Sequence, residues 1–203
     1  MLQIRLAQTP EEREEVFKLR YQVYVEELGK WENFTNYKPN HKQKKVEDSL
    51  DLSANLFVAF NNYELFGTVR CNYAKNLDSD SDYYSKLYKI SETVGDANIL
   101  YTSIGGIFMV KGYVRGKLIA LRIAQAYYKK LLLDEIKFDF IDALPYLVPF
   151  FEKLGYQTIG KINYSIYDIR ILMVLNILNI PHLEKVKSPL QRVYRNWLKS
   201  QNA

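Results

Sequence analysis

Two cations flank a glycine at Arg115-Gly116-Lys117, just before the helically spaced run "LIALRIAQ". Amides at a helix start have no partner within the helix, and the helix dipole adds positive charge there. With the full charges of Arg115 and Lys117, this stretch is suited to hold an anion. Other chemistry-bearing residue types are sparse. His41 and His182 are the only histidines. No His/Cys/Asp cluster has metal-ligand spacing, so no metal is expected. The single cysteine, Cys71, reads as a buried thiol rather than a nucleophile. A lone cysteine makes no intrachain disulfide and points to a reducing, cytoplasmic setting. The run "KPNHKQKK" at 38–45 is either a solvated loop or a docking patch for an acidic protein.

The elements around these residues follow from hydropathy and turn chemistry. The chain has 203 residues, 48% of them hydrophobic, enough for one domain with a sizeable core. Lys+Arg 28 against Asp+Glu 23 gives +5, which is too thinly spread for a nucleic-acid binder. The N-terminus has no signal-peptide core, and "ILMVLNILNI" is too short to span a bilayer. "IRLA" predicts a strand. Thr9, Pro10 and Glu12 open a helix through "EEREEVFKLRYQVYVEEL". A polar loop runs over 29–53. A hairpin then turns at Asn61-Asn62, followed by a polar stretch at 75–90. A strand over 98–110 carries Gly105-Gly106 mid-strand, which predicts a bulge or a close approach by another group. A helix is expected over 116–133, then strand "IKFDFID", helix "PYLVPFFEKLG", strands "YQTIGKINYSI" and "RILMVLNILNI", and a last helix "PLQRVYRNWLKS" opened by a capping box at Ser188. The order is that of a mixed α/β (α+β) sheet with helices on both faces. It reads as one domain over 1–203, with 176–203 as a C-terminal extension.

That order resembles the GNAT acyltransferase superfamily over roughly residues 4–175. The superfamily's Arg/Gln-x-x-Gly-x-Gly/Ala phosphate loop is matched by Arg115-Gly116-Lys117-Leu118-Ile119-Ala120, with Leu118 where a glycine is usual. "FFEKLGYQTIG" resembles the late helix-turn-strand, with Phe151 where many members have an acidic tyrosine. "LRYQVYVEELGKW", "VEDSLD" and "GTVRCNY" resemble the acyl-homoserine-lactone synthases and long-chain N-acyl amino acid synthases. The resemblance singles out Arg20, Tyr24, Trp31, Asp48 and Asp51 (preceded by Glu47), and Arg70. Lactone synthases and their relatives carry Glu and Arg late on the fourth strand, whereas "TSIGGIFMV" is uncharged.

The resemblance implies a pantetheine thioester donor, either acyl-acyl carrier protein or acyl-CoA, with its phosphate at 115–120. Two arginines and two carboxylates meeting near one sheet edge can form a charge-assisted network. Backbone amides from Phe108, Met109 and Val110 are placed to polarise the thioester carbonyl. Glu47 and Asp48 are the candidate bases, with Asp51, Arg20 and Arg70 completing the site. The leading reading is transfer of a medium or long acyl chain to the amine of an amino acid or peptide. Acetyl-CoA-dependent N-acetylation and a non-catalytic acyl- or nucleotide-binding domain remain as alternatives. Leu118 is expected to weaken a diphosphate cradle and so favour a carrier-protein donor. Lys111, Arg115, Lys117, Lys129 and Lys130 would steer that acidic partner.

Overall fold

The computed structural model describes residues 1–29, 39–77, 87–112, 118–165 and 168–201. Trp31 and Arg115-Gly116-Lys117 lie outside the described residues. The strands are β1 Leu2–Leu6, β2 Asn55–Asn61, β3 Glu64–Tyr73, β4 Thr102–Val110, β5 Phe138–Ala143, β6 Gln157–Ser165 and β7 Asp168–Asn176. They form a seven-stranded mixed sheet in the order β1-β2-β3-β4-β5-β7-β6. β1 to β3 are antiparallel, β4 pairs parallel with β5, and β5 pairs antiparallel with β7. The α-helices among the described residues are α1 Pro10–Tyr21, α2 Ile90–Val94, α3 Ile119–Leu133, α4 Val148–Leu154, α5 Ile180–Lys185 and α6 Gln191–Gln201. None of them is long and apolar enough to cross a membrane.

The chain divides into two compact units, Met1–Cys71 with Gly106–Ala126 and Tyr164–Asp168, and Asn72–Gly105 with Tyr127–Asn163 and Ile169–Ala203. In the first, strand alternation assigns each helix to a face. Leu56, Val58, Leu65, Ile107 and Met109 pack with Val16, Leu19 and Val23 of the first helical segment. Ala59 and its partner Gly67 point the other way, and there α3 lies so close that a Cβ on Gly67 would sit 2.9 Å from Ile123 Cδ1 and from the Met109 carbonyl. In the second unit, Ile104, Phe140, Leu172 and Val174 form one apolar layer with Tyr88 and Ile90. Ser103 and Asp139 point to the opposite face.

Several local expectations shift. The hairpin turn is Asn62-Tyr63, one residue later than expected, because Asn61 still pairs with Glu64. Asn62 takes the left-handed conformation, φ 55°, which asparagine tolerates best after glycine. The first helix leaves α-geometry at Gln22 and runs on as a π-helix to Glu27. Residues 96–101 form a 3₁₀ helix, so β4 starts at Thr102 rather than 98. The helix expected from 116 begins at Ile119. "RILMVLNILNI" is not one strand: β7 stops at Asn176, and Asn179 caps α5 by accepting from the His182 amide. Ser188 makes no capping box. Its hydroxyl donates to the Leu154 carbonyl, while Gln191 donates to that of Leu183.

Gly67 offers a direct check on the close packing of β3. Gly67→Ala must displace a backbone carbonyl as well as a side chain, and is expected to destabilise the protein by about 1–3 kcal/mol in urea unfolding.

Candidate active site

α1 carries Arg13 and Arg20 two turns apart, hence on one face. Both reach the segment 48–54. Arg13 donates to the carbonyls of Ala54 and Asp51. Arg20 forms a two-pronged pair with Asp51, Nη1 to Oδ2 at 2.6 Å and Nη2 to Oδ1 at 2.9 Å. The Arg20 side chain is 0% exposed and that of Asp51 4%. The Phe17 ring covers the guanidinium at 5.3 Å. Asp51 can be delivered there because Ser49–Asp51 is a 3₁₀ turn, whose start Asp51 closes by accepting from the Asp48 amide at 2.9 Å.

Arg70, on β3, joins the two carboxylates. Its Nη1 lies 2.6 Å from Asp48 Oδ1 and 3.4 Å from Asp51 Oδ1. The Arg70 nitrogens lie 3.7 and 3.9 Å from where a Cβ on Gly106 would stand. The close approach expected at the glycine pair is therefore, at Gly106, the guanidinium of Arg70. Ile107, immediately after, has φ 50°, a strained conformation for a β-branched residue. The irregularity expected at the glycines thus falls one residue later.

The structure brings together Arg20, Asp48, Asp51 and Arg70, and keeps Glu47 apart. Glu47 is exposed, whereas Asp48 is half-buried. Burial pushes the Asp51 carboxyl upward, but the Arg20 fork, the Arg70 charge and the Asp48 amide outweigh it and hold the group below its ordinary value. A carboxylate so held is a poor base at neutral pH. Tyr24 packs beside the apolar cluster of α1. Of the proposed donor-binding residues, Phe108 is half-buried, and Met109 and Val110 are buried at the end of β4. Ile119 is buried, Ala120 half-buried, and Leu118 67% exposed. A side chain that far out in solvent gives no support to the expectation that Leu118 obstructs a phosphate.

Two of the expected steering cations are already paired: Lys111 with Glu64 at 2.9 Å, and Lys130 with Asp134 at 2.5 Å. In the 38–45 run, Lys44 pairs with Glu26 and Lys45 with Glu14. His41 Nδ1 meets the Tyr21 hydroxyl at 3.0 Å, and His182 Nε2 meets the Gly155 carbonyl at 3.1 Å. No metal-ligating cluster occurs among the described residues.

Sequence reasoning missed a second buried carboxylate, in the other unit. Asp139 of β5 accepts hydrogen bonds from Ser103, Tyr127 and Tyr156 hydroxyls, all at 2.5–2.6 Å. A Cβ on Gly105 would stand 2.9 Å from the Tyr127 hydroxyl, so the first glycine of the pair makes room for this cluster. Burial raises the Asp139 pKa to about 6, against the pull of the three hydroxyls. The signal was present: in "KFDFID" the alternation of Phe138 and Phe140 puts Asp139 on the opposite face, and both faces of an inner strand are covered.

No protein-family model and no curated protein sequence matches the chain. Solved structures do. A CoA-dependent acyl-homoserine lactone synthase, BjaI, solved with MTA, is 17% identical and covers 98% of this chain and 100% of its own, with a TM-score of 0.69. The chain has the GNAT fold. FeeM, an N-acyl amino acid synthase from uncultured soil microbes, is 16% identical over 88% of this chain and 92% of its own, TM-score 0.67. BjaI with SAM and isopentyl-CoA gives 18% identity over 92% and 91%, TM-score 0.64. The GNAT fold is thus shared nearly end to end.

Two consequences are measurable. Asp51→Asn leaves Arg20 charged and dry. It is expected to destabilise the protein by about 3–5 kcal/mol in urea unfolding at neutral pH. Asp139 acts through pH. Its folded pKa of about 6 lies above the ordinary aspartate value of 3.8, so between about pH 4 and 6 the folded state binds the extra proton. Its contribution is fully present below about pH 4 and is lost as pH rises to about 6, by about 3 kcal/mol. Subtracting the unfolding profile of Asp139→Asn from that of the unaltered protein should reveal this slope. A difference flat over that range would show the raised value to be wrong.

Proposed function

We propose that the chain is an N-acyltransferase that moves a medium- or long-chain acyl group from a pantetheine thioester to the amine of an amino acid or peptide. The observation that carries this reading is the Arg20–Asp51–Arg70–Asp48 network. All four residues are those that the resemblance to the carrier-dependent N-acyl synthases singled out from three separated segments, and Arg70 of the network stands beside Gly106 of β4. The fold supports the reaction class. The uncharged β4 weighs against a homoserine-lactone synthase.

In the reaction, the amine nitrogen attacks the thioester carbonyl carbon. The C–N bond forms, the C–S bond breaks, and the thiolate takes up the proton that the amine gives away. Asp48, whose side chain is 15% exposed, is the network's opening to solvent and the counter-ion for the incoming ammonium, which gives one proton to solvent water to become the attacking amine. Asp51 and Arg20 fix its place through the 3₁₀ turn, and Arg70 fixes its carboxylate. Backbone amides near Phe108–Val110 polarise the carbonyl, and 115–120 binds the donor phosphate.

The donor is an acyl carrier protein in the reading drawn from the sequence. Coenzyme A is the second reading, favoured because BjaI is named as CoA-dependent. The test compares dodecanoyl-carrier protein, dodecanoyl-CoA and acetyl-CoA, each with a panel of amino acids and with S-adenosylmethionine. Released thiol and the mass of the N-acyl product are followed. Amine-dependent thiol release from dodecanoyl donors is expected, with little from acetyl-CoA or with S-adenosylmethionine. Asp48→Asn should raise the amine KM at least tenfold while donor KM is unchanged. No amine-dependent release from any donor would end the proposal, and better use of acetyl-CoA would end its long-chain half.

A further inference from the structure

Lys111 and Lys130, two of the cations expected to steer a donor, are held in ion pairs, as are Lys44 and Lys45 of the 38–45 run. A basic excess largely without such pairs lies at the C-terminal end. From Val186 to Ala203 the chain holds Lys187, Arg192, Arg195 and Lys199 and no aspartate or glutamate. Lys187, Arg192 and Lys199 have no carboxylate partner among the described residues. Arg195 has one, Glu184 at 3.3 Å, but its side chain stays 64% exposed.

These cations are arranged by α6. Its start is fastened to the second unit: Ser188 and Leu190 are buried, and the Ser188 hydroxyl binds the Leu154 carbonyl at 2.6 Å. Beyond that anchor no residue of the helix is buried. Arg192, Arg195, Asn196 and Lys199 recur at the spacing that puts residues on one helical face, and all four are exposed. Val193, Tyr194, Trp197 and Leu198 occupy the remaining arc. Tyr194 and Trp197 stack at 5.6 Å and are half-buried, while Leu198 is 42% exposed. Leu198 and the three cations line one open groove with Ser188 and Asn196.

We infer that α6 docks the protein on an anionic phospholipid surface, with Arg192, Arg195 and Lys199 against the headgroups and Leu198, flanked by the Tyr194–Trp197 pair, at the acyl boundary. A short helix with a cationic face beside an arc of Trp, Tyr and Leu is the pattern that lies in a membrane interface. Aromatic rings with one polar edge settle at headgroup level. An acidic protein partner is less well matched. The groove is open and its apolar lining is confined to Pro189 and Leu198, whereas a specific protein interface needs a desolvated, shape-matched centre. A sheet of mobile phosphates needs only charge of one sign.

The inference is independent of the acyl-transfer reading, because binding is measured without substrate. The full chain is sedimented with vesicles of phosphatidylcholine alone and with phosphatidylcholine containing phosphatidylglycerol, at low and high salt. Each cation near an anionic surface strengthens binding about fivefold. Arg192→Gln/Lys199→Gln should therefore weaken binding to the anionic vesicles about thirtyfold. Both residues are exposed, so an unchanged unfolding midpoint and unchanged acyl transfer from a soluble donor are expected. Leu198→Ser should weaken binding further without altering its salt dependence. Absence of binding to anionic vesicles overturns the inference, as does equal binding to phosphatidylcholine alone or full binding by the double variant. Capture of acidic carrier protein through Arg192 and Lys199, with no vesicle binding, also overturns it and makes the helix a protein-docking surface.

Discussion

Arg20 is a permanent cation from which water is excluded, and the site depends on how that charge is met. Removing a guanidinium from water without a partner costs several kcal/mol, so the fold must bring a carboxylate to it. Asp51 is that carboxylate. Its delivery requires the 3₁₀ turn at Ser49–Asp51, the anchoring of the neighbouring carbonyls by Arg13, and the amide of Asp48. Once Asp51 is in place, its Oδ1 is shared with Arg70, and Arg70 in turn orients Asp48. Each step is imposed by the one before it, and the chemically open group comes last.

The two buried aspartates show how the same side chain is given opposite character. Asp51 faces two guanidinium groups and stays ionised. Asp139 is met by hydroxyls alone, which stabilise a carboxylate less than cations do, and its proton is held to about pH 6. Each case uses one glycine of the β4 pair, Gly106 beside Arg70 and Gly105 beside Tyr127. Neither glycine is there for its own flexibility: both keep the space of a side chain open for a polar group from another element.

A mixed sheet, the succession of its strands along the chain and the first helix were legible because their signals are local: alternation in β2, β3 and β5, and the Thr9-Pro10 start of α1. The carboxylate–arginine network was legible only because short segments resemble known ones. Nothing in periodicity joins Arg20 to Asp51. What stayed hidden was decided by packing between distant segments. Leu118 turned outward, Glu47 remained in solvent, and two of the lysines expected to greet a partner, Lys111 and Lys130, found carboxylates. Asp139 was readable in principle, but the alternation of Phe138 and Phe140 marks only the strand and its apolar face, and the hydroxyls that meet Asp139 come from other segments. The end of β7 was overrun because "ILMVLNILNI" is uniformly apolar, and only the Asn179 cap marks where the helix begins.

The Arg20–Asp51 pair joins residues 31 positions apart. Closing a longer span of flexible chain is nearly free, since doubling its length costs only about 0.6 kcal/mol. By that reckoning the entropic cost of holding the pair depends only weakly on how many residues separate its halves. The spacings inside each half are fixed, because Arg13 and Arg20 must share a helical face and Asp48 must stand three residues before Asp51. In this chain the network is thus written in two short words of fixed internal spacing, with a gap between them whose length matters far less. A comparison that scores the whole stretch in fixed register is blind to it, whereas a pattern that fixes both words and leaves the gap open would recognise distant kin.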